Sequence, residues 1–493
     1  MLGGRLRNSK SSLALVAIGS AVLGMGAASA ADLPVKAPYV KAPVAMVYDW
    51  TGFYIGANAG VGIGRDYTRV EIPDGLSFEA SHLNPQGGVG GGQVGYNWQT
   101  SSSVLGVLVF GVEADIQGTG MRDTFTCLIG CLPPQNLNYN QRLDWFGTVR
   151  GRVGIATGPV LSYVTGGWAY GSVKTTLTET VGTTEAFSSD QNRSGWTWGG
   201  GVEASLGGNW TGKIEYLYVN LGNRLDTFTL NGFAHSMETD VREHIFRVGL
   251  NYRIGGNGAA YVPPPAPNWT GFYLGGNLGF GIGRDQTAFT FASAGTSTEL
   301  FNLSPAGING GIQAGYNWQA ANWVFGLEAD IQGSSQRDNR ACVQTCNPAA
   351  APVLFAAYDA RLPWFGTVRG RIGSWVGSTL FYATGGFAYG EVKTKIAASF
   401  LGSPGNVEIS NTRSGWTVGG GIESPLTFMS GVLGKNWTSK TEYLYVDLGT
   451  QTGVFTIPVP GAAVVTATSS TQVREHIFRT GLSYHFNSPV VVK

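Results

Sequence analysis

Charge is scarce in this chain. Only 13% of its residues are Asp, Glu, Lys or Arg, against about 25% in an average soluble domain, so a fully water-facing surface would be short of ions. Long apolar runs are missing as well. After the N-terminus no stretch stays apolar for the ~20 residues that a membrane helix needs; if a membrane is crossed, strands must cross it. A basic excess is absent too, at a formal net charge of +1, and this speaks against nucleic acid as a partner because phosphate binding needs a concentrated basic face. Cysteine is limited to Cys127, Cys131, Cys342 and Cys346. They form two Cys-x3-Cys pairs with no nearby His, whereas a structural zinc site usually takes four protein ligands, so local disulfides, Cys127 with Cys131 and Cys342 with Cys346, are expected of an exported protein.

What is abundant is glycine, at 75 residues, and aromatic rings, at 12%. The first thirty residues read as an export signal: Arg5, Arg7 and Lys10 give a basic start, Ser12 to Gly26 an apolar stretch, and Ala28-Ser29-Ala30 a small-residue cleavage site before Ala31. The remainder is written twice. WTGFYIGANAGVGIGRD from Trp50 is matched by WTGFYLGGNLGFGIGRD from Trp269, GYNWQ from Gly95 by GYNWQ from Gly315, WFGTVRGRVG from Trp145 by WFGTVRGRIG from Trp364, and VREHIFRVGLNY from Val241 by VREHIFRTGLSY from Val473. A unit of about two hundred residues is a whole domain rather than a solenoid repeat. The expected layout is a signal peptide (1–30), a Pro-rich periplasmic segment (31–48), a first unit (49–254), a Gly/Pro linker (255–267), a second unit (268–486) and a short tail (487–493).

Within each copy eight segments of strand length alternate at period two. In the first copy they centre near Ala57, Val94, Val112, Arg150, Gly167, Gly200, Tyr216 and Arg247. In GVLVFGVEADIQG, Leu108, Phe110, Val112, Ala114 and Ile116 share one face, and Glu113, Asp115 and Gln117 the other. Successive side chains of a strand point to opposite faces, so each segment has an oily side and an ionised side. Three signs put the oily side against lipid: Trp and Tyr at segment ends, as in Tyr96 with Trp98, Trp196 with Trp198 and Tyr216 with Tyr218; glycine recurring through strands, which suits tight curvature; and connections that alternate long and short. Long polar loops are expected at Asp66–Pro85, Thr119–Gln141, Thr176–Asn192 and Gly222–Thr239, with short turns at Thr100–Ser103, Gly158-Pro159 and Gly207-Gly208-Asn209. An even strand count then puts both ends of each unit on the periplasmic side.

The ions must then face inward. One unit would enclose Glu113, Asp115, Glu203, Glu215 and Glu243 with Arg150, Arg152, Lys213 and Arg247; the other would enclose Glu328, Asp330, Glu423, Glu442 and Glu475 with Arg369, Arg371, Lys440 and Arg479. An unpaired charge in a narrow, poorly hydrated lumen costs several kcal/mol, so near-balance is required. No catalytic, cofactor or metal site is expected. The matched His244 and His476 fall on the lipid or interface face, His82, His235 and His485 show no convincing partner, and no Ser-His-Asp grouping recurs. GGVGGGQVG at Gly87 lacks the Gly-Lys-Ser/Thr ending of a phosphate loop and suits tight strand packing instead.

At these residues the chain resembles the outer-membrane immunogenic proteins of alphaproteobacteria, an OmpA-like barrel family. The resemblance is carried by ADLPVKAP at Ala31, DWTGFYIGANAG at Asp49, GYNWQ at Gly95, TVRGRVG at Thr148, EYLYV at Glu215 and REHIFRVGLNYRI at Arg242. It covers nearly the whole mature chain, twice, where the family pattern is one unit. It implies an all-β, antiparallel up-and-down transmembrane barrel of eight strands per unit, outer-membrane location, surface-exposed loops and a structural or loosely porin-like role. Contacts with outer-membrane lipid, lipopolysaccharide and the assembly machinery follow from that location. The chain ends Phe486 then NSPVVVK rather than at a terminal aromatic, which weakens Tyr484 and Phe486 as an assembly signal. Sixteen strands in total make either two tandem eight-stranded barrels, the reading favoured by complete opening and closing motifs in each copy, or one sixteen-stranded pore. Eight strands enclose a lumen filled by side chains and sixteen an aqueous channel, so that choice separates a structural surface protein from a diffusion porin.

Overall fold

The computed structural model describes residues 48–72, 77–102, 106–126, 136–181, 183–255, 267–292, 296–341, 354–400, 403–457 and 465–487. The expected export signal and all four cysteines, with the disulfides expected of them, lie outside the described residues.

The first unit comprises β1 (Gly52–Gly64), β2 (Asp66–Ile72), β3 (Ser77–Leu83), β4 (Gln86–Ser102), β5 (Gly106–Thr126), β6 (Asn136–Thr157), β7 (Val160–Val181), β8 (Thr183–Gly207), β9 (Trp210–Leu230) and β10 (Phe233–Ile254). The second repeats it as β11 (Gly271–Gly283), β12 (Asp285–Ala292), β13 (Thr296–Leu303), β14 (Ala306–Ala320), β15 (Trp323–Ala341), β16 (Leu354–Val376), β17 (Thr379–Phe400), β18 (Ser403–Pro425), β19 (Trp437–Ile457) and β20 (Val465–His485). All pairing among the described strands is antiparallel: in the first unit β4 to β9 each pair with the next strand in the chain, β1 pairs with β4 on one side and with β10 on the other, Ala57 opposite Leu250, and β2 pairs with β10 and β3. In the second unit β11 closes on β20, Asn277 opposite Gly481. Each unit is therefore a ring closed on itself, and the chain forms two eight-stranded barrels rather than one of sixteen strands. β2 continues β1 along β10 past a break at Arg65, and β3 leads into β4 past Asn84-Pro85, so the ring count is eight.

The strands are long. β5 runs 21 residues and β8 runs 25, whereas a tilted strand spans a bilayer in about 9–11. The surplus lies at one end, and there the structure differs from the sequence reading: most of Asp66–Pro85, Thr119–Gln141, Thr176–Asn192 and Gly222–Thr239 is paired strand, not loop. Polarity beyond a membrane does not oppose pairing, and short hydroxyl side chains face one another across the hairpin β7–β8, Thr180 and Thr184 at 3.0 Å and Thr176 and Ser188 at 3.4 Å. At the opposite end the turns are tight, with Gly158 at φ +62° and Gly208 at φ +56°, conformations that only glycine adopts cheaply. The second unit replaces the turn at Gly207-Gly208-Asn209 with a short helical excursion, Thr427–Leu433.

The outward faces are the predicted oily ones: Val112 is 49% exposed, Ile116 57% and Val248 58%. Their exposure stops where the two barrels meet. β3 pairs with β2 alone and β13 with β12 alone; β13 lies against β5, and β15 against β3, so each barrel's unpaired edge is covered by the other unit. The contact is reciprocal. Arg65 bonds Asp338 at 2.8 Å while the corresponding Arg284 bonds Asp123 at 3.1 Å. Ser304 Oγ donates to the Gly64 carbonyl at 3.2 Å. Around them Val70, Leu83, Phe125 and Met237 of one unit pack into one cluster with Phe289, Phe301, Leu303 and Tyr358 of the other. This is the self-complementary geometry of a two-fold dimer, carried within a single chain.

Candidate functional site in the barrel lumen

Inward positions fill each barrel in layers. At the short-turn end Trp50 is fully buried, its backbone N–H donating to Gln99 Oε1 at 2.8 Å and its indole N–H to the Gly158 carbonyl at 3.0 Å. With Tyr48, Val109, Ala156, Leu161 and Tyr163 it plugs that mouth. Trp269 does the same with Gln319 at 2.7 Å. The WTGFY and GYNWQ repeats thus meet: the first supplies the plug and the second the glutamine that holds it.

Above the plug lies the ion cluster. Arg150 bonds Glu113, Asp115 at 2.8 Å and Glu215 at 3.1 Å. Arg152 bonds Glu203 at 2.9 Å and donates through Nε to Asn97 Oδ1 at 2.9 Å. Lys213 Nζ lies 2.9 Å from Glu113, and Arg247 bonds Glu215 through Nε at 2.7 Å and Asp115 through Nη2 at 2.8 Å. The second unit repeats this with Arg369 on Glu328, Asp330 (3.1 Å) and Glu442 (3.2 Å), Arg371 on Glu423 (2.9 Å), Lys440 on Glu328 (2.8 Å) and Arg479 on Asp330 (2.8 Å) and Glu442. Four cations meet four carboxylates in each lumen, every one of them buried. Fork-shaped guanidinium groups that satisfy two or three carboxylates at once are the geometry in which buried charge is tolerable.

The structure brings sixteen of the eighteen expected residues into these clusters and leaves two out. Glu243 and Glu475 point inward but higher up. Glu243 sits in an apolar layer of Val89, Met121, Leu143, Phe146, Leu217, Val241 and Ile245, and neither of its carboxylate oxygens has a hydrogen-bond partner among the described residues. Glu475 accepts from Gln336, which stands where the first unit has Met121. Parity of position placed both glutamates inside, but height along the barrel decides the company, and parity carries no height.

Several lumen residues escaped the sequence reading. Tyr54 Oη donates to Glu113 at 2.8 Å and Tyr163 Oη to Glu215 at 2.9 Å, and Arg152 lies 4.7 Å and 5.2 Å from the two ring centres; Tyr273, Tyr382 and Arg371 repeat this. Gly95 leaves room for the Tyr54 ring, since a Cβ there would fall 2.3 Å from its hydroxyl oxygen. The recurrence of GFY before GYNWQ was the available signal. His485, read as lacking a partner, bonds Glu423 at 2.9 Å. His244 and His476 do lie on the outer face, buried between the barrels: His244 meets Tyr216 Oη at 2.8 Å and stacks on Phe280 with ring centres 4.9 Å apart, and His476 meets Tyr443 Oη at 2.7 Å and Gln86 Nε2 at 3.1 Å. Tyr216, expected in an aromatic girdle, is buried against Phe280 and Phe478, whereas Trp98, Trp196 and Trp198 are about half exposed. The histidines serve a docking surface of aromatic rings.

Two closed rings, lipid-facing apolar exteriors and ion-filled interiors define a transmembrane β-barrel. The chain belongs to the outer membrane protein beta-barrel domain family, which it matches twice, over residues 18–253 and 258–486. It is 38% identical over 237 residues to the 31 kDa outer-membrane immunogenic protein of Brucella melitensis biotype 1, covering 46% of this chain and 93% of that one. It is 30% identical over 243 residues to the 25 kDa outer-membrane immunogenic protein of the same organism, covering 49% and 97%. Each relative corresponds in length to one of the two units. Among solved structures, Neisserial surface protein A aligns at 15% identity over 41% of this chain and 98% of its own, with a TM-score of 0.21.

Proposed function

We propose that this protein is a non-conducting structural and surface-displayed component of the outer membrane, without enzymatic activity, oriented with its long hairpins outward and both termini in the periplasm. The observation that carries the reading is the filled lumen. Each barrel is stopped by a tryptophan, bridged by four cations and four carboxylates, and closed again by an apolar layer, which agrees with the rule that eight-stranded barrels hold side chains rather than a channel. The short turns and tight glycines at one end, against strands of 21 to 25 residues rising at the other, support the orientation by the usual asymmetry of such barrels. The immunogenic relatives support surface display, and the aromatic neighbours of His244 and His476 support a packing role over catalysis. Planar-bilayer recording of the purified full chain tests the proposal: the expected result is no stable conductance above the bare membrane, and stepwise, salt-dependent conductance overturns it.

A further inference from the structure

The two barrels do not touch along their whole height, and the gap between them has a definite shape. On one flank of the contact, Ile214, Val248 and Leu250 of the first unit face Ile372, Phe381 and Ala383 of the second across a cleft of about 760 Å³. The cleft begins beside Leu206 and Trp323, which border short turns, and ends under Phe246, Tyr443 and Phe478. These rings form its ceiling, with Phe246 and Tyr443 centred 5.5 Å apart and Phe478 5.9 Å from Tyr216. From Leu250 to Phe246 the strand runs about 13 Å at about 3.3 Å per residue, which at a tilt of about 35–45° is roughly 10 Å of height, about a third of the roughly 30 Å hydrocarbon core. A second cleft of about 580 Å³ lies on the other flank, between Leu108, Val153 and Val164 of the first unit and Thr441 and Phe478 of the second. The pair of clefts follows the two-fold character of the contact.

We infer that the larger cleft is a binding site for the acyl chains of a phospholipid from the leaflet at the short-turn end. The outer faces that line it are lipid-facing, so the cleft opens to the bilayer and not to water. Water within it would find almost no polar partners, and an empty cleft would forgo the dispersion contacts of its walls. Among the described residues no side chain fills it; an acyl chain entering from the adjoining leaflet does, and the aromatic ceiling sets its depth. The lipid thereby becomes part of the contact between barrels. The identification of the leaflet with the periplasmic one rests on the orientation proposed above, but the site itself does not.

The test uses the full chain in phosphatidylethanolamine and phosphatidylglycerol vesicles containing a phosphatidylethanolamine with a diazirine in mid-chain. After photolysis, peptides carrying Val248–Leu250 and Phe381–Ala383 should hold at least fivefold more label than the peptide carrying Val94, which is 51% exposed on β4 and outside both clefts. The double substitution Ala59→Trp with Ala383→Trp, both at positions lining the cleft, should remove that excess, and Val94→Trp should leave it in place. Labelling in proportion to exposed area on all faces of the unaltered protein overturns the inference. So does an excess that survives the double substitution in folded protein. Because labelling is read independently of conductance and of orientation, failure here is distinct from failure of the proposed function.

Discussion

Within one barrel, two buried layers only a few residues apart are built from opposite materials. The lower layer, around Arg150 and Glu215, consists of ions; the upper, around Phe146 and Leu217, consists of hydrocarbon. Both are sealed from water. The ionic layer holds because every charge has several partners, so its stability is collective and its failure abrupt. The apolar layer holds by area and tolerates loss in proportion to the atoms removed. Glu243 shows what happens when the two materials mix: an acid in the apolar layer of the first unit has no hydrogen-bond partner among the described residues, and the second unit supplies Gln336 to the matching Glu475.

Arg150→Met should have the largest effect, since it takes a partner from Glu113, Asp115 and Glu215 at once and leaves four buried carboxylates to three cations; a loss of about 3–5 kcal/mol is expected, measured as a lower urea midpoint for the protein refolded in detergent. Leu217→Ala should cost about 2–5 kcal/mol through cavity formation, and adding Leu217→Ala to Arg150→Met should show whether the layers unfold as one unit. Met121→Gln should stabilise the first unit by about 1 kcal/mol by giving Glu243 the partner that Glu475 already has; no gain in the urea midpoint would mean that the two copies meet this cost differently. The smallest effect expected is that of salt. The lumen ions are out of reach of mobile counterions, so raising ionic strength from about 0.1 M to about 1 M, where the screening length falls from about 10 Å to about 3 Å, should leave the midpoint unchanged. A marked fall would show that water enters the ionic layer.

Much of this architecture was readable from residue order because alternation is a local property. Once Val112 and Ile116 are assigned to lipid, Glu113 and Asp115 can only face inward, and repeating that step strand by strand puts five carboxylates and four cations inside each unit, though it does not tell that Glu243 and Glu475 stand apart from the rest. What could not be read depends on distance in space rather than along the chain. Nothing near Tyr54 or Tyr163 in the chain announces that ring closure will bring their hydroxyls to Glu113 and Glu215. Asp66–Pro85 reads as a loop because its polarity is visible and its pairing with β10 is not. His244 and Tyr216 read as lipid-facing because nothing near them announces that Phe280, from the second copy, will cover them.

The reciprocal Arg–Asp contacts bind the history of the two copies together. Duplication ordinarily frees one copy to drift while the other keeps the old role. Here Arg284 reaches back to Asp123 and Arg65 reaches forward to Asp338, so each copy is part of the other's environment. A substitution at Asp123 is felt 161 residues later, and the two halves inherit change as a couple.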